Sequence, residues 1–269
     1  MQSEKGRVDK MISVSENIYI FGAHTRAQNL YAYMRELFPE KKVKGFLYDN
    51  DEPNPEKLYG IDVKTPDKVD DSDTKAQIWL AVKSIYFEEI IRKLRENLLN
   101  PVICVTPEMD NEFRNRYAEK VFAKKGMEFI KLYDLLEKAE VRQSKMPVVY
   151  MAKSIYDRQI NKYTHPFYIV PVQAGAALTE KKISEIRDDT GINISAKNRQ
   201  YCELTVLYWI WKNRKDSWVG LCHYRRHFIL SDGEAVAIPP LGVDVVLPVP
   251  SICQPSIGEN YRKRHDGED

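Results

Sequence analysis

The residues of this sequence best suited to chemistry lie in its second half. His223-Tyr-Arg-Arg226 puts an imidazole and two guanidiniums within four positions. Paired guanidiniums grip phosphate oxygens, and a histidine donates a hydrogen bond or moves a proton near neutral pH. That set suits binding a phosphate group without a metal ion. A plainer account also fits: a strand end whose Arg225 and Arg226 are solvated or paired with carboxylates, beside ordinary surface histidines at 223 and 227. His223 and His227 have i, i+4 spacing, but zinc ligation there would need a helix and a third ligand. Asp188 and Asp189 are the carboxylates most suited to binding a metal, contacting a sugar or acting as base, and an Asp-rich turn before Gly191 explains them equally well. Gln173 and Gly175 end an apolar run and fit a strand end beside a ligand, although Gly175 can equally relieve packing.

The first half offers a second, weaker nucleotide site. Gly22-Ala-His-Thr-Arg-Ala27 follows an apolar strand and Asp49 ends the next one. A dinucleotide fingerprint needs glycine for the turn, for pyrophosphate approach and for helix packing. Only Gly22 satisfies it; His24 would crowd a pyrophosphate, and Ala27 is an acceptable third residue. The pattern therefore argues against NAD. Asp49-Asn-Asp51 also spells an Asp-x-Asp metal and diphosphate motif, yet its place before a Pro-rich loop favours a turn. Asp71-Ser-Asp73 reads as a solvated loop. Whether a divalent metal takes part stays open.

These residues need elements to hold them. Asn17–Gly22, Lys42–Asp49, Gln77–Val82 and Pro101–Val105 read as buried strands. Helices fall between them, one capped by Thr25 and one by Ser84, with Phe87, Ile90, Ile91, Leu94 and Leu98 on one face of the latter. Strand–helix alternation at this spacing predicts a parallel, helix-covered α/β sheet. A polar leader covers 1–16, this domain 17–140, and a polar linker 141–147 ends at Pro147. In the second domain, 148–269, Pro147–Ala152 starts a fresh strand and Trp218–Phe228 is a strand running into a charged loop. Val243–Pro248 is predicted as another buried strand. A helix over Gln200–Lys212 is predicted to bury Leu204, Leu207, Tyr208 and Trp211, leaving Glu203 to face a site or water.

Composition narrows the class. The chain has 269 residues, 43% hydrophobic and 30% charged, enough for two packed domains. A net charge of +2 gives no electrostatic footprint for nucleic acid, though Tyr261-Arg-Lys-Arg-His265 can meet a phosphate or an anionic membrane. Cys104, Cys202, Cys222 and Cys253 lack metal or disulfide spacing, and no stretch suits a signal peptide or a transmembrane span. A cytoplasmic setting is expected.

Two resemblances sharpen this. Ile18-Tyr-Ile-Phe-Gly-Ala23, Val43–Leu47, Gly60–Val63 and Leu80–Val82 resemble the Rossmann-like domains that front sugar acyltransferases and other surface-polysaccharide enzymes. Val172-Gln-Ala-Gly-Ala-Ala-Leu178, Asp188-Asp-Thr-Gly191, Asn193–Ser195, Tyr201–Thr205, Tyr208–Asn213 and Val219-Gly-Leu-Cys-His-Tyr-Arg-Arg226 occur in order. Together they resemble a glycosyltransferase-like family, first catalogued as a domain of unknown function and linked to capsular and exopolysaccharide synthesis. The resemblance implies a GT-A-related α/β domain that normally continues beyond Asp269, so that Tyr261–Asp269 reads as a helix cut short. It also implies transfer of a sugar from a nucleotide-sugar donor, UDP-linked, to a lipid-linked glycan (capsule, O-antigen or exopolysaccharide) at the inner face of a membrane. Lys153, Arg225 and Arg226 would then bind the donor diphosphate, Asp188, Asp189 and His223 would be catalytic, and Gln173, Gly175, Glu203 and Tyr224 would line the pocket. The family's first strand often ends Thr-His-Lys; here it is Met151-Ala-Lys-Ser154, which keeps Lys153 and loses the histidine. Rival functions are an NAD-dependent nucleotide-sugar epimerase or reductase and a non-catalytic nucleotide-binding scaffold.

Overall fold

The computed structural model describes residues 14–49, 54–70, 72–139, 144–158, 165–252, 257–258 and 262. Asp51, Asp71, Cys253 and most of Tyr261–Asp269 lie outside them. The chain divides into two units: residues up to Phe129 with those from Leu247 onward, and Ile130–Val246.

The first unit is a six-stranded sheet. Its strands are β1 (Asn17–Phe21), β2 (Lys42–Leu47), β3 (Lys57–Leu58), β4 (Ile61–Lys64), β5 (Gln77–Leu80) and β6 (Val102–Cys104), in the order β3-β4-β2-β1-β5-β6. All neighbours are parallel except the short β3–β4 hairpin. The parallel strands thus have the doubly wound order, with helices on both faces because continuous apolar strands must be covered twice. Ile18, Ile20, Phe46 and Trp79 pack on one face against α1 (Thr25–Leu37) and α3 (Pro107–Lys124). Tyr19, Phe21, Leu47, Ile78 and Leu80 pack on the other against α2 (Phe87–Arg95). Neither expected cap is used. Thr25 lies inside α1 with His24 at the N-cap, and Ser84 opens a 3-10 turn before α2 begins at Phe87. Thr106 does cap α3, accepting from the Met109 amide at 3.3 Å ahead of Pro107.

The second unit begins with α4 (Leu132–Lys138) and carries a four-stranded, all-parallel sheet. Its strands are β7 (Val148–Lys153), β8 (Ile169–Gln173), β9 (Ile186–Arg187) and β10 (Val219–His223), in the order β10-β7-β8-β9. After β9 come the single turn α5 (Asn198–Tyr201), then α6 (Leu204–Asn213); α7 (Asp232–Ala237) follows β10. Helix α6 covers one face, where Val206, Trp209 and Ile210 meet Tyr150, Ala152 and Val172. Ala235 of α7 joins Met151, Tyr168, Ile169 and Cys222 on the other face.

Two expectations are corrected here. The predicted helix Gln200–Lys212 breaks at Cys202, whose φ of 46° no helix tolerates, and restarts at Leu204. Its buried residues are Thr205, Val206, Trp209 and Ile210, not the predicted Leu204, Leu207, Tyr208 and Trp211. The sequence Leu-Thr-Val-Leu-Tyr-Trp-Ile-Trp is apolar almost all round, so helical spacing admits two stripes, and the pull of Thr205 inward selects one. Val243–Pro248 is also not a strand: it joins no ladder, and Val245 and Leu247 are 63% and 72% exposed.

Candidate functional site

Three parallel strands added on one side of β7, then β10 added on the other, give the 3-2-1-4 order of a doubly wound sheet. In such sheets the loops at the carboxyl ends diverge where the order reverses, leaving a crevice there. In this unit that point lies between β7 and β10. Register places Lys153 opposite Gln173, Gln173 opposite Arg187, and His223 opposite Ala152. The carboxyl edge therefore collects Lys153, the Gln173–Ala176 turn, Asp188-Asp189 and His223-Tyr-Arg-Arg226.

The turn after β10 is closed by its own backbone. The His223 amide donates to the Arg226 carbonyl at 3.2 Å, and the Arg226 amide returns the bond at 2.9 Å. His223 Nδ1 accepts from the Arg225 amide at 3.2 Å, so a neutral His223 carries its proton on Nε2, directed away from the turn. The His223 and Tyr224 rings lie 4.5 Å apart, and the Arg225 guanidinium sits 5.1 Å from the Tyr224 ring centre. Arg225 and Arg226 are exposed and form no ion pair with a described carboxylate. Two histidines, His165 and His227, join Lys153 at the edge, where sequence reasoning did not place them. Burial, Lys153 and His227, in that order, push the His165 imidazole below its ordinary value. The three side chains thus share one electrostatic neighbourhood.

The carboxylates divide differently. Asp188 is fully buried and accepts four hydrogen bonds. The Gly175 amide and the Thr205 hydroxyl reach Oδ2 at 2.9 and 2.6 Å; the Ala176 amide and the Ser195 hydroxyl reach Oδ1 at 3.0 and 2.5 Å. Every lone-pair direction is taken, so in this arrangement Asp188 ties the turn after β8 to the loop after β9 and to α6. Asp189 is ion-paired with Arg187. Glu203, at the N-terminus of α6, is exposed, and its side chain hydrogen-bonds to no described residue. Gln173 is buried, donating to the Lys181 carbonyl at 2.7 Å and accepting from the Ile183 amide at 3.0 Å, so it pins the loop beyond the 3-10 turn. Gly175 has φ 65°, and a Cβ there would come within 2.7 Å of the Asn198 side chain. Asn198 in turn donates to Thr205 Oγ1 at 2.9 Å. The short sequence blocks between Val172 and Asn213 are therefore one hydrogen-bonded assembly.

Burial pushes the Cys222 thiol up to about 11, leaving it protonated. Among the described residues no group of three or more His, Cys, Asp or Glu is gathered as a metal site. No described helix is long and apolar enough to cross a membrane.

In the first unit, Gly22 and His24 lie at the carboxyl end of β1, beside β5. Gly22 has φ 122°, and a Cβ there would press on the Ala81 carbonyl at 3.2 Å and Ala27 at 3.3 Å, which accounts for the glycine by packing alone. Asp49 is paired with Lys93 at 3.2 Å.

The fold and edge define a doubly wound α/β unit with cationic side chains at its topological switch point. Residues 154–269 match the family described as a domain of unknown function, DUF4422. A solved structure titled as the bifunctional glycosyltransferase WbbM in its apo form shares 38% identity over 31% of this chain, with a TM-score of 0.27. The aligned part spans 14% of that chain. No curated protein matches.

Proposed function

We propose that the carboxyl edge of the second sheet binds the diphosphate of a nucleotide sugar, UDP-linked, and that the protein transfers the sugar to a growing surface polysaccharide. The observation that carries this reading is the coincidence of the β7/β10 switch point with Lys153 on one side and the exposed guanidiniums of Arg225 and Arg226 on the other. Transfer leaves negative charge on the departing diphosphate, and fixed cations at its oxygens lower the barrier most when they need no reorganisation. The closed turn at 223–226 supplies that rigidity, and His223 Nε2–H adds a donor. The blocks that resemble a polysaccharide-synthesis family are those that build this edge.

Roles then separate. Lys153, Arg225 and Arg226 hold the diphosphate. Asp188, Gln173 and Gly175 are positioning residues. Of the three carboxylates, Asp188 has its lone pairs filled and Asp189 is paired with Arg187, so Glu203, whose side chain has no described partner, is the one freest to take a proton from an acceptor hydroxyl. The acceptor is a lipid-linked glycan at the inner face of a membrane.

Titration calorimetry with UDP-sugars, with and without Mg²⁺ or Mn²⁺, tests the donor site. Wild-type binding is expected, and Arg225→Ala or Arg226→Ala should weaken it by about tenfold or more through loss of a charge-assisted pair. If wild-type protein binds no nucleotide sugar, or if both variants bind as it does, the reading fails.

A further inference from the structure

Helix α6 buries one face and leaves the other without a described neighbour. Opposite Thr205, Val206, Trp209 and Ile210 runs a ridge in which Leu204, Leu207 and Trp211 are 51%, 47% and 69% exposed. A row of large apolar side chains on the outer face of a unit marks a contact surface. Its chemistry says what it contacts. Tyr208 and Trp211 meet edge to face at 5.6 Å, and Lys212 Nζ lies 3.3 Å from the Trp211 ring centre. Indole, phenol and an ammonium on a long alkyl stem are the side chains that settle at the boundary between lipid headgroups and acyl chains.

Charge and shape agree. Residues 191–215 carry Lys197, Arg199, Lys212, Arg214 and Lys215 against Glu203 alone, in a chain whose net charge is only +2. Arg214 is paired with Asp216 at 3.3 Å. The other four cations are exposed and have no described carboxylate partner. Two copies meeting through this ridge about a two-fold axis would bring like charges together. A single convex helix also offers a folded partner little area, whereas lipid headgroups part around it.

We infer that the outward ridge of α6 docks on an anionic lipid surface, with Leu204, Leu207 and Trp211 entering the headgroup layer and Lys212 and Lys215 meeting lipid phosphates. Because α6 starts at the carboxyl edge of the sheet, docking holds the candidate site beside a membrane-bound acceptor. The inference deepens the proposed function in that respect, but its test contains no nucleotide, so either can fail without the other.

The test is co-sedimentation of the full chain with phosphatidylcholine vesicles and with vesicles in which phosphatidylglycerol replaces a third of the lipid. Binding to the anionic vesicles only, falling as salt is raised, is expected. Leu207→Ser with Trp211→Ser should reduce it about tenfold or more, and so should Lys212→Glu with Lys215→Glu, each without a change in Tm because the altered side chains are exposed. The inference is overturned if wild type stays in solution with both lipids, or if either double variant binds anionic vesicles as wild type does. A concentration-dependent dimer that the serine variant abolishes, without vesicle binding, would assign the ridge to a second copy and also overturn it.

Discussion

Asp188 and Arg225 occupy the same edge of the second sheet and have opposite surroundings. Asp188 has all its lone pairs filled by two amides and two hydroxyls; Arg225 is exposed, with its guanidinium resting near Tyr224. Sequence alone ranked both as site residues because carboxylates and guanidiniums near glycine turns suit chemistry and turn-making alike. The difference lies in desolvation, which spacing cannot reveal: a buried carboxylate must find donors, and these come from residues 175, 176, 195 and 205. Replacing it shows its role. Asp188→Asn turns one acceptor oxygen into a donor facing two other donors, so it should lower unfolding free energy by about 2–4 kcal/mol, read from urea denaturation. Arg225→Ala, by contrast, should leave that midpoint unchanged.

At the scale of elements, the loop between β9 and α6 fixes which face of α6 is buried. Trp209 Nε1 donates to Thr190 Oγ1 at 3.0 Å, and the Asn213 side chain clamps Ile192 through bonds of 3.0 and 2.8 Å. Gly191 sits under that clamp with φ 57°, and a Cβ there would fall 2.0 Å from Asn213 Oδ1. Gly191→Ala should therefore cost about 2–3 kcal/mol, from the left-handed backbone and the displaced clamp. Gly233→Ala in α7, where a Cβ meets nothing within 4 Å, should instead gain about 0.5–1 kcal/mol. Paired thermal melts giving shifts of the same sign would contradict this account. The strands and the order of elements were legible in the sequence because buried parallel strands are uninterrupted apolar runs. The inward stripe of α6 was not, since an all-apolar helix presents equal candidates and a buried threonine gives no signal until its partner is known. Val243–Pro248 misled for a related reason: its apolar run satisfies the pattern for a strand, but a strand also needs an edge to pair with.

Basic side chains drawn from three parts of the second unit give it a pH dependence that no single element has. His165 lies near Lys153 at the end of β7 and near His227 beyond β10, and with burial these push its protonation down. The unfolded chain then binds the proton first as pH falls. Stability is full above about pH 6.5 and declines below it toward the folded-state value. Urea midpoints at about pH 7.5 and about pH 5.5 should show a smaller drop for His165→Gln than for wild type; an equal drop would mean that carboxylates alone set the acid limb. The sequence by itself determined two α/β units, parallel pairing and the residue types able to grip a diphosphate, because burial periodicity and side-chain chemistry are local properties. Only the tertiary structure decided that Lys153 and His223-Tyr-Arg-Arg226 flank one switch point, that Asp188 is held within the framework, and that Leu204, Leu207 and Trp211 face outward. Each of those depends on strand order and on which hydrogen-bonding partners arrive from distant parts of the chain.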